Sequence, residues 1–330
     1  MTRYRPLFAF ALLIVSSHPA FAEEEPVAVS VPFLAEAGKT VRYRLERTDT
    51  TQAMTDSAPS PGPTLSAEST FRVLEALPDG YRVSMTVDTA NGTHPALKKV
   101  GVSDDAIANL SRLGEGSTVV YRTDQAGNPL QIENLDEARG ELSRALGTMK
   151  DALGGSNMPA EARDVMSRTV DGMLRLYAGL TPAQATQVLM ASEIQLFTLG
   201  GIELPEGQEA EFEQEVPSPV GGPPIKMKNR IWISSADDQQ VVVELRSGID
   251  PESAKASVQI VMDSLLKQHG GKIPEQARAA IENMENFSIA DSVTTTLRRS
   301  DGWPDKVTSE RKVTSGPVVK SQMRVFTRLD

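Results

Sequence analysis

The stretch KTVRYRLERTDTT, residues 39–51, alternates strictly. Val41, Tyr43 and Leu45 fall on one face, and Arg42, Arg44 and Glu46 on the other. A period of two over that length is a strand with one face in water and one face that must be covered. The pattern recurs at 66–76, at YRVSMTVDT (81–89), at STVVYRT (117–123), at QEAEFEQEV (208–216), at KMKNRIWISS (226–235), at QQVVVELRS (239–247) and in three runs at 287–299, 304–314 and 318–328. Short turn signals join these runs, among them Asp79-Gly80 and Asp237-Asp238, so neighbouring strands are expected to be antiparallel hairpins. MTDSAPSPGPT (54–64) and PSPVGGPP (217–224) read as exposed loops.

The cover for those strands has to come from helices. Ser103 with Asp104 and Asp105 reads as an N-cap and acidic first turn of a helix to Leu113. Asn134 is placed to cap LDEARGELSRALGTMKDAL, and 158–199 reads as helical throughout. Within it Met166, Val170, Met173, Leu174 and Tyr177 form one face, and Thr181-Pro182 starts a further helix. Asp250-Pro251 opens a helix carrying Val258, Val261, Met262, Leu265 and Leu266. The expected class is α+β, with antiparallel, curved sheet or sheets covered by helices. The expected organisation is a signal peptide at 1–22, a β-rich half at 23–133, a helical insertion at 134–206 and a β-α-β half at 207–330.

Two stretches share a layout. YRTDQAGNPLQIE (121–133) and LRRSDGWPDKVTSER (297–311) each run from an arginine through an Asp and a Gly to a Pro that opens the next strand. Each half also runs Gly, strand, Pro/Gly loop, strand, Asp turn, strand, helix, strand, turn, strand, which suggests an internal duplication. Asp, Gly and Pro are turn residues, so the shared motif reads as architecture rather than as a carboxylate site of Asp124 and Asp301.

The first residues, MTRYRPLFAFALLIVSSHPAFA, carry Arg3 and Arg5, a short apolar run and Ala20-Phe21-Ala22. That is the layout of a secretory signal cut after Ala22. The expected compartment is the periplasm, with secretion as the alternative, and no other window is apolar enough for a transmembrane anchor. Cysteine is absent, which excludes both a disulfide framework and a lipid-bearing Cys. The formal net charge of −10 argues against nucleic acid as a partner.

The catalytic inventory is thin. His94 and His269 are the histidines beyond the signal, too few for the usual zinc ligand sets or a ready triad. No G-x-S-x-G, G-x-G-x-x-G or phosphate-loop pattern occurs, and no cofactor is expected. Glu209, Glu211, Glu213 and Glu215 line one strand face, which reads as a solvated face or a charged edge rather than a calcium site. Trp232, Trp303, Met166, Met173 and Met190 are the candidate ligand-surface residues, weighed against plain core packing.

The order of parts resembles one group of exported bacterial proteins of unknown function. The matching residues are Gly38 to Leu45, the hairpin Thr123 to Pro129, and the LPEG of Leu204 to Gly207. The resemblance implies an envelope location and carries no catalytic residue. The expected function is non-enzymatic binding of an apolar or amphipathic ligand (a lipid or amphiphile) or of an envelope protein, through a concave sheet-helix surface. The alternatives are a hydrolase or lyase built on a carboxylate pair, and an interaction module without a small-molecule site.

Overall fold

The computed structural model describes residues 28–53, 55–99, 101–154, 160–216, 224–254 and 287–330, with 256, 259 and 260 besides. The signal residues Ala20 and Ala22, His269, the 217–223 loop and most of the helix expected after Asp250 lie outside them. Along the chain come β1 (Ala28–Ser30), β2 (Thr40–Ala53), β3 (Ser60–Leu77), β4 (Gly80–Thr93), α1 (Pro95–Lys99), α2 (Asp104–Ser111), β5 (Thr118–Thr123) and β6 (Pro129–Ile132). Next are α3 (Leu135–Gly154), α4 (Ala160–Gly179), α5 (Pro182–Leu189), α6 (Ala191–Phe197), β7 (Glu203–Pro205), β8 (Glu209–Val216), β9 (Ile225–Ala236), β10 (Gln240–Ile249), β11 (Ser288–Arg298), β12 (Pro304–Ser315) and β13 (Val318–Arg328).

Eleven strands form one antiparallel sheet in the order β6-β5-β4-β3-β2-β13-β12-β11-β10-β9-β8, and β1 pairs with β7 in a separate ribbon. Both halves thus meander through one sheet and join at β2 and β13, paired from Tyr43↔Arg328 to Ala53↔Val318. The ends, β6 and β8, are not paired with each other.

The two matched turns show that the sheet curls. The β5–β6 and β11–β12 turns stand six strand positions apart. In a flat sheet that is roughly 29 Å. Both nevertheless press on the same residue, Phe33. A Cβ on Gly127 would sit 3.0 Å from the Phe33 ring, and one on Gly302 would sit 2.8 Å from Phe33 Cα. Both glycines hold positive φ, 87° and 69°, so the backbone needs glycine there twice over. Asp124 and Asp301 build their own turns. Asp124 Oδ1 accepts from the N–H of Ala126 and of Asn128, each at 2.9 Å, and Asp301 Oδ1 accepts from Trp303 N–H at 3.0 Å. The shared motif is one clasp built twice.

The clasp holds the arm between β1 and β2. Leu34 N–H donates to Asp301 O at 2.8 Å, and Tyr81 Oη donates to Phe33 O at 3.0 Å. Phe33 packs at ring-centroid distances of 4.9 Å from Trp303, 5.5 Å from Tyr81 and 5.8 Å from Phe197. The main core continues from this cluster through Val41, Tyr43, Phe71, Val83, Tyr121, Met190, Ile233, Leu297 and Phe326. A second, smaller core joins Val102, Ile107 and Val170 beneath α2, α3 and α4.

Several local expectations need correction. Residues 60–63, expected in a loop, already belong to β3. Pro61 faces Thr50 of β2, whereas β4 joins only at Thr64↔Thr93, so the prolines occupy a stretch with one neighbour and no ladder bond is lost. Asn134 spends its amide on β5, accepting from Val120 N–H at 2.8 Å and donating to Thr118 O at 2.9 Å, instead of capping α3. The new helix expected at Thr181-Pro182 is present, and a further break, not expected, falls at Met190 and separates α5 from α6. Ser103 does cap α2, and Thr181 with Gln184 forms a capping box on α5. No helix among the described residues is long and apolar enough to cross a membrane.

Candidate functional site

Four neighbouring strands change character along their inward faces. β2 runs Val41, Tyr43, Leu45 and then Arg47, Asp49. β13 runs Phe326 and then Arg324, Gln322. β12 runs Val307 and then Ser309, Arg311, and β11 runs Leu297, Thr295, Val293 and then Asp291. The ladder sets these in rows. Leu45, Phe326, Val307 and Thr295 form an apolar-edged row; Arg47, Arg324, Ser309 and Val293 form the next; Asp49, Gln322, Arg311 and Asp291 form the third. The concave face is therefore apolar toward the clasp and charged one row further on.

The charges are unevenly matched. Arg47 grips Asp49 through Nε at 2.9 Å and Nη2 at 2.5 Å, and Gln322 donates to the same carboxylate at 3.1 Å. Arg311 grips Asp291 at 2.7 and 2.8 Å. Arg324 lies directly across the ladder from Arg47. Among the described residues it has no carboxylate within ion-pair distance, and its Nη1 donates to Gln195 Oε1 at 2.7 Å. Ser309 Oγ approaches the same oxygen at 3.4 Å. Gln195 reaches in from α6, which lies over β12. Between it and the strands is a crevice of about 10 Å³, lined also by Asp291, Ser292, Val293 and Glu310. That is room for about one water.

Titration reflects this crowding. Burial lowers the Arg324 guanidinium below the ordinary arginine value, and Arg47 and Arg311 push the same way against Asp49 and Glu193. Burial lifts the Glu193 carboxyl, also on α6, to about 7, although its own backbone N–H and Arg324 draw it back. Burial opposes ionisation of Asp49, but the bonds from Arg47 and Gln322 win and hold its carboxyl below the usual range. Tyr121 of β5 is fully buried, its hydroxyl raised well above the ordinary value by burial and then by Glu193. Its Oη has no hydrogen-bond partner among the described residues.

The candidates named from sequence fall elsewhere. Trp303 and Met190 are completely buried, which corrects their assignment to a ligand surface: each fills the core around Phe33 and Phe197. Trp232 lies on the outer face, where Arg246 stacks at 5.1 Å from its ring. Met173 is exposed on α4, and the Met166 side chain lies outside the described residues. Trp303 and Met190 share the main core, and Trp232 and Met173 lie outside it. The four glutamates of β8 face Trp232, Arg230, Lys228 and Lys226 across the ladder, and Arg230 pairs with Glu209 and Glu211 at 3.2 and 2.8 Å. That row is a charge-matched outer face. Asp124 and Asp301 are both committed to their turns, and Asp301 also meets Lys39 at 2.7 Å and Arg328 at 3.4 Å. Among the described residues no group of three or more His, Asp and Glu could hold a metal. An open hollow of about 390 Å³ lies over the ladder of β2, β3 and β4, lined mainly by Thr48, Thr64, Ser66, Asn91 and Thr93.

Arg47, Arg311 and Arg324 were missed because arginine within an alternating strand reads as a solvent-facing residue, and Gln195 because the strand that its helix covers is set by the fold. The available signal was parity. Counting by twos from Tyr43 lands on Arg47 and Asp49, on the covered face.

No family model matches the chain, and no curated protein matches it. Among solved structures it is similar to one titled "Lipid-protein interactions in lipovitellin", at 10% identity and a TM-score of 0.41, over 89% of this chain and 25% of that one. The chain thus spans about a quarter of the length of that protein. It also aligns with an outer membrane channel from Pseudomonas putida F1, at 8% identity and a TM-score of 0.13, over 94% of this chain and the whole of the other. At these scores neither likeness carries a fold or a function across.

Proposed function

We propose that this chain is a non-catalytic binding protein of the cell envelope that holds an amphipathic ligand on the concave face of its sheet. The observation that carries the reading is the change along four adjacent strands from apolar to charged inward side chains. The apolar rows are buried core, with Val41, Val307 and Phe326 0–3% exposed, so an amphipathic molecule meets the face at its boundary, where the partly buried Leu45 adjoins the charged row. Within the site the carboxylates of Asp49 and Asp291 are each held by an arginine. Native mass spectrometry of protein purified from its own host, followed by solvent extraction, tests the proposal. A co-purifying amphiphile is the expected result. A bare chain that takes up no added amphiphile would overturn it.

A second reading has its own observation. Met173 and Leu176, three residues apart on α4, are 42% and 60% exposed, an apolar spot on a helix surface. That favours a protein partner on α4. Cross-linking from Leu176→Cys that captures one defined partner, with no extractable amphiphile, would favour it over the first.

A further inference from the structure

Three arginines and three carboxylates face one another across α6 and the inward rows of β2, β11, β12 and β13. Two of the pairs are closed: Arg47 with Asp49, and Arg311 with Asp291. Arg324 is left opposite another arginine, an arrangement that cross-strand like charges make unfavourable. The strongest acceptor it has is an amide oxygen. A half-buried guanidinium whose bonded acceptor is neutral gains a stronger, charge-assisted bond from an anion. Gln195 Oε1 occupies the spot an anionic oxygen would take, bonded by Arg324 Nη1 at 2.7 Å and approached by Ser309 Oγ at 3.4 Å.

We infer that Arg324 is the seat of the ligand's anionic head group, a carboxylate or a phosphate monoester, and that the Gln195 side chain is the placeholder the head group displaces. This rests on the proposed binding of an amphiphile by the concave face, and it names the chemistry of that ligand's polar end. Displacement is required by volume, since the crevice beside Gln195 has room for about one water. Ser309 supplies a hydroxyl to a second oxygen of the head group, while Arg47 and Arg311 stay paired with Asp49 and Asp291 and leave Arg324 as the cation open to it. Guanidinium suits the task because its fork presents parallel N–H groups to a planar carboxylate or to phosphate oxygens. The hydrocarbon part is directed toward Leu45, the partly buried apolar residue one row on from Arg47 at the edge of the core. A neutral amphiphile of the same length leaves Arg324 unsatisfied and so binds more weakly.

The test is calorimetric titration of the purified protein with dodecanoate, dodecyl phosphate, 1-dodecanol and inorganic phosphate, each below any micelle-forming concentration. Either charged dodecyl probe is expected to bind at least about tenfold tighter than 1-dodecanol. Arg324→Gln is expected to remove that advantage. Gln195→Glu, which builds the anion into the protein, is expected to remove it too while raising the melting temperature. Arg42→Gln, on the outer face where Arg42 pairs with Glu68 at 3.0 Å, is expected to leave all four titrations unchanged. If Arg324→Gln fails to fold, Gln195→Glu carries the test alone. Charged probes that bind Gln195→Glu as tightly as wild type would overturn the head-group assignment. In that event, binding of 1-dodecanol would leave the concave-face reading standing. Failure of every dodecyl probe would overturn the proposed function itself, and inorganic phosphate binding as tightly as dodecyl phosphate would leave an anion seat without an amphiphile.

Discussion

At the scale of single residues, the least replaceable positions are small ones under pressure from Phe33. Gly302 combines a φ of 69° with a Cβ position that falls on the arm's backbone. Gly302→Ala is therefore expected to destabilise the fold by more than the roughly 1 kcal/mol of an unhindered glycine, as measured by urea unfolding. Glu193 gives a pH signature. Its folded carboxyl titrates at about 7 against an ordinary value of 4.5. The folded state therefore holds the extra proton between those values, and stability contributed at low pH is lost as pH rises from about 4.5 to about 7. Glu193→Gln is expected to flatten that part of the stability curve and to raise the melting temperature at pH 8, with little effect at pH 4. Asp301 works in the opposite sense. Burial opposes its charge, but Lys39, the Trp303 N–H and Arg328 together hold its carboxyl below the ordinary 3.8. Its contribution is present above that value and lost as pH falls through the lowered one.

At the scale of elements, the short edge strand β6 is completed by a side chain. Ile132 N–H donates at 3.1 Å to Oγ1 of Thr186, a fully buried residue on α5. Thr186→Val keeps the volume and removes the acceptor. It is expected to cost about 1–3 kcal/mol in chemical denaturation, the range for a buried polar group left unmatched. Strand positions were legible in the sequence because half-burial writes itself as a period of two; β9 to β13 fall within a residue or two of the expected spans. Helix caps were legible at Ser103 and Thr181, where the capping side chain has no rival partner. At Asn134 it does have one, the backbone of β5, and that competition depends on tertiary proximity. The charged rows escaped notice for the same reason. Arg324 looks like any surface arginine in VKSQMRVFTR until the strands beside it and α6 above it are in place. Trp303 shows the converse: an aromatic after a turn glycine reads either as core packing or as the lining of a ligand mouth, and the curl of the sheet buries it.

At the scale of the whole molecule, the two meanders share one sheet through the β2–β13 seam and share Phe33 at the clasp. They are expected to unfold together, so that Trp303 fluorescence and far-ultraviolet dichroism follow one transition. Phe33→Ala should lower stability by about 3–5 kcal/mol, the usual range for emptying a large aromatic from a core, and should bring the transition to lower denaturant. Separate transitions for the two probes would show instead that the halves are held independently. The clasp also sets a timetable. The arm at 31–36 is synthesised long before the turn that locks it, near residue 302, and the Lys39–Asp301 bond spans 262 positions. The early strands wait, with the face that will pack on Phe33 uncovered, until residue 302 has been delivered. A nascent chain therefore keeps this clasp open until its later half arrives.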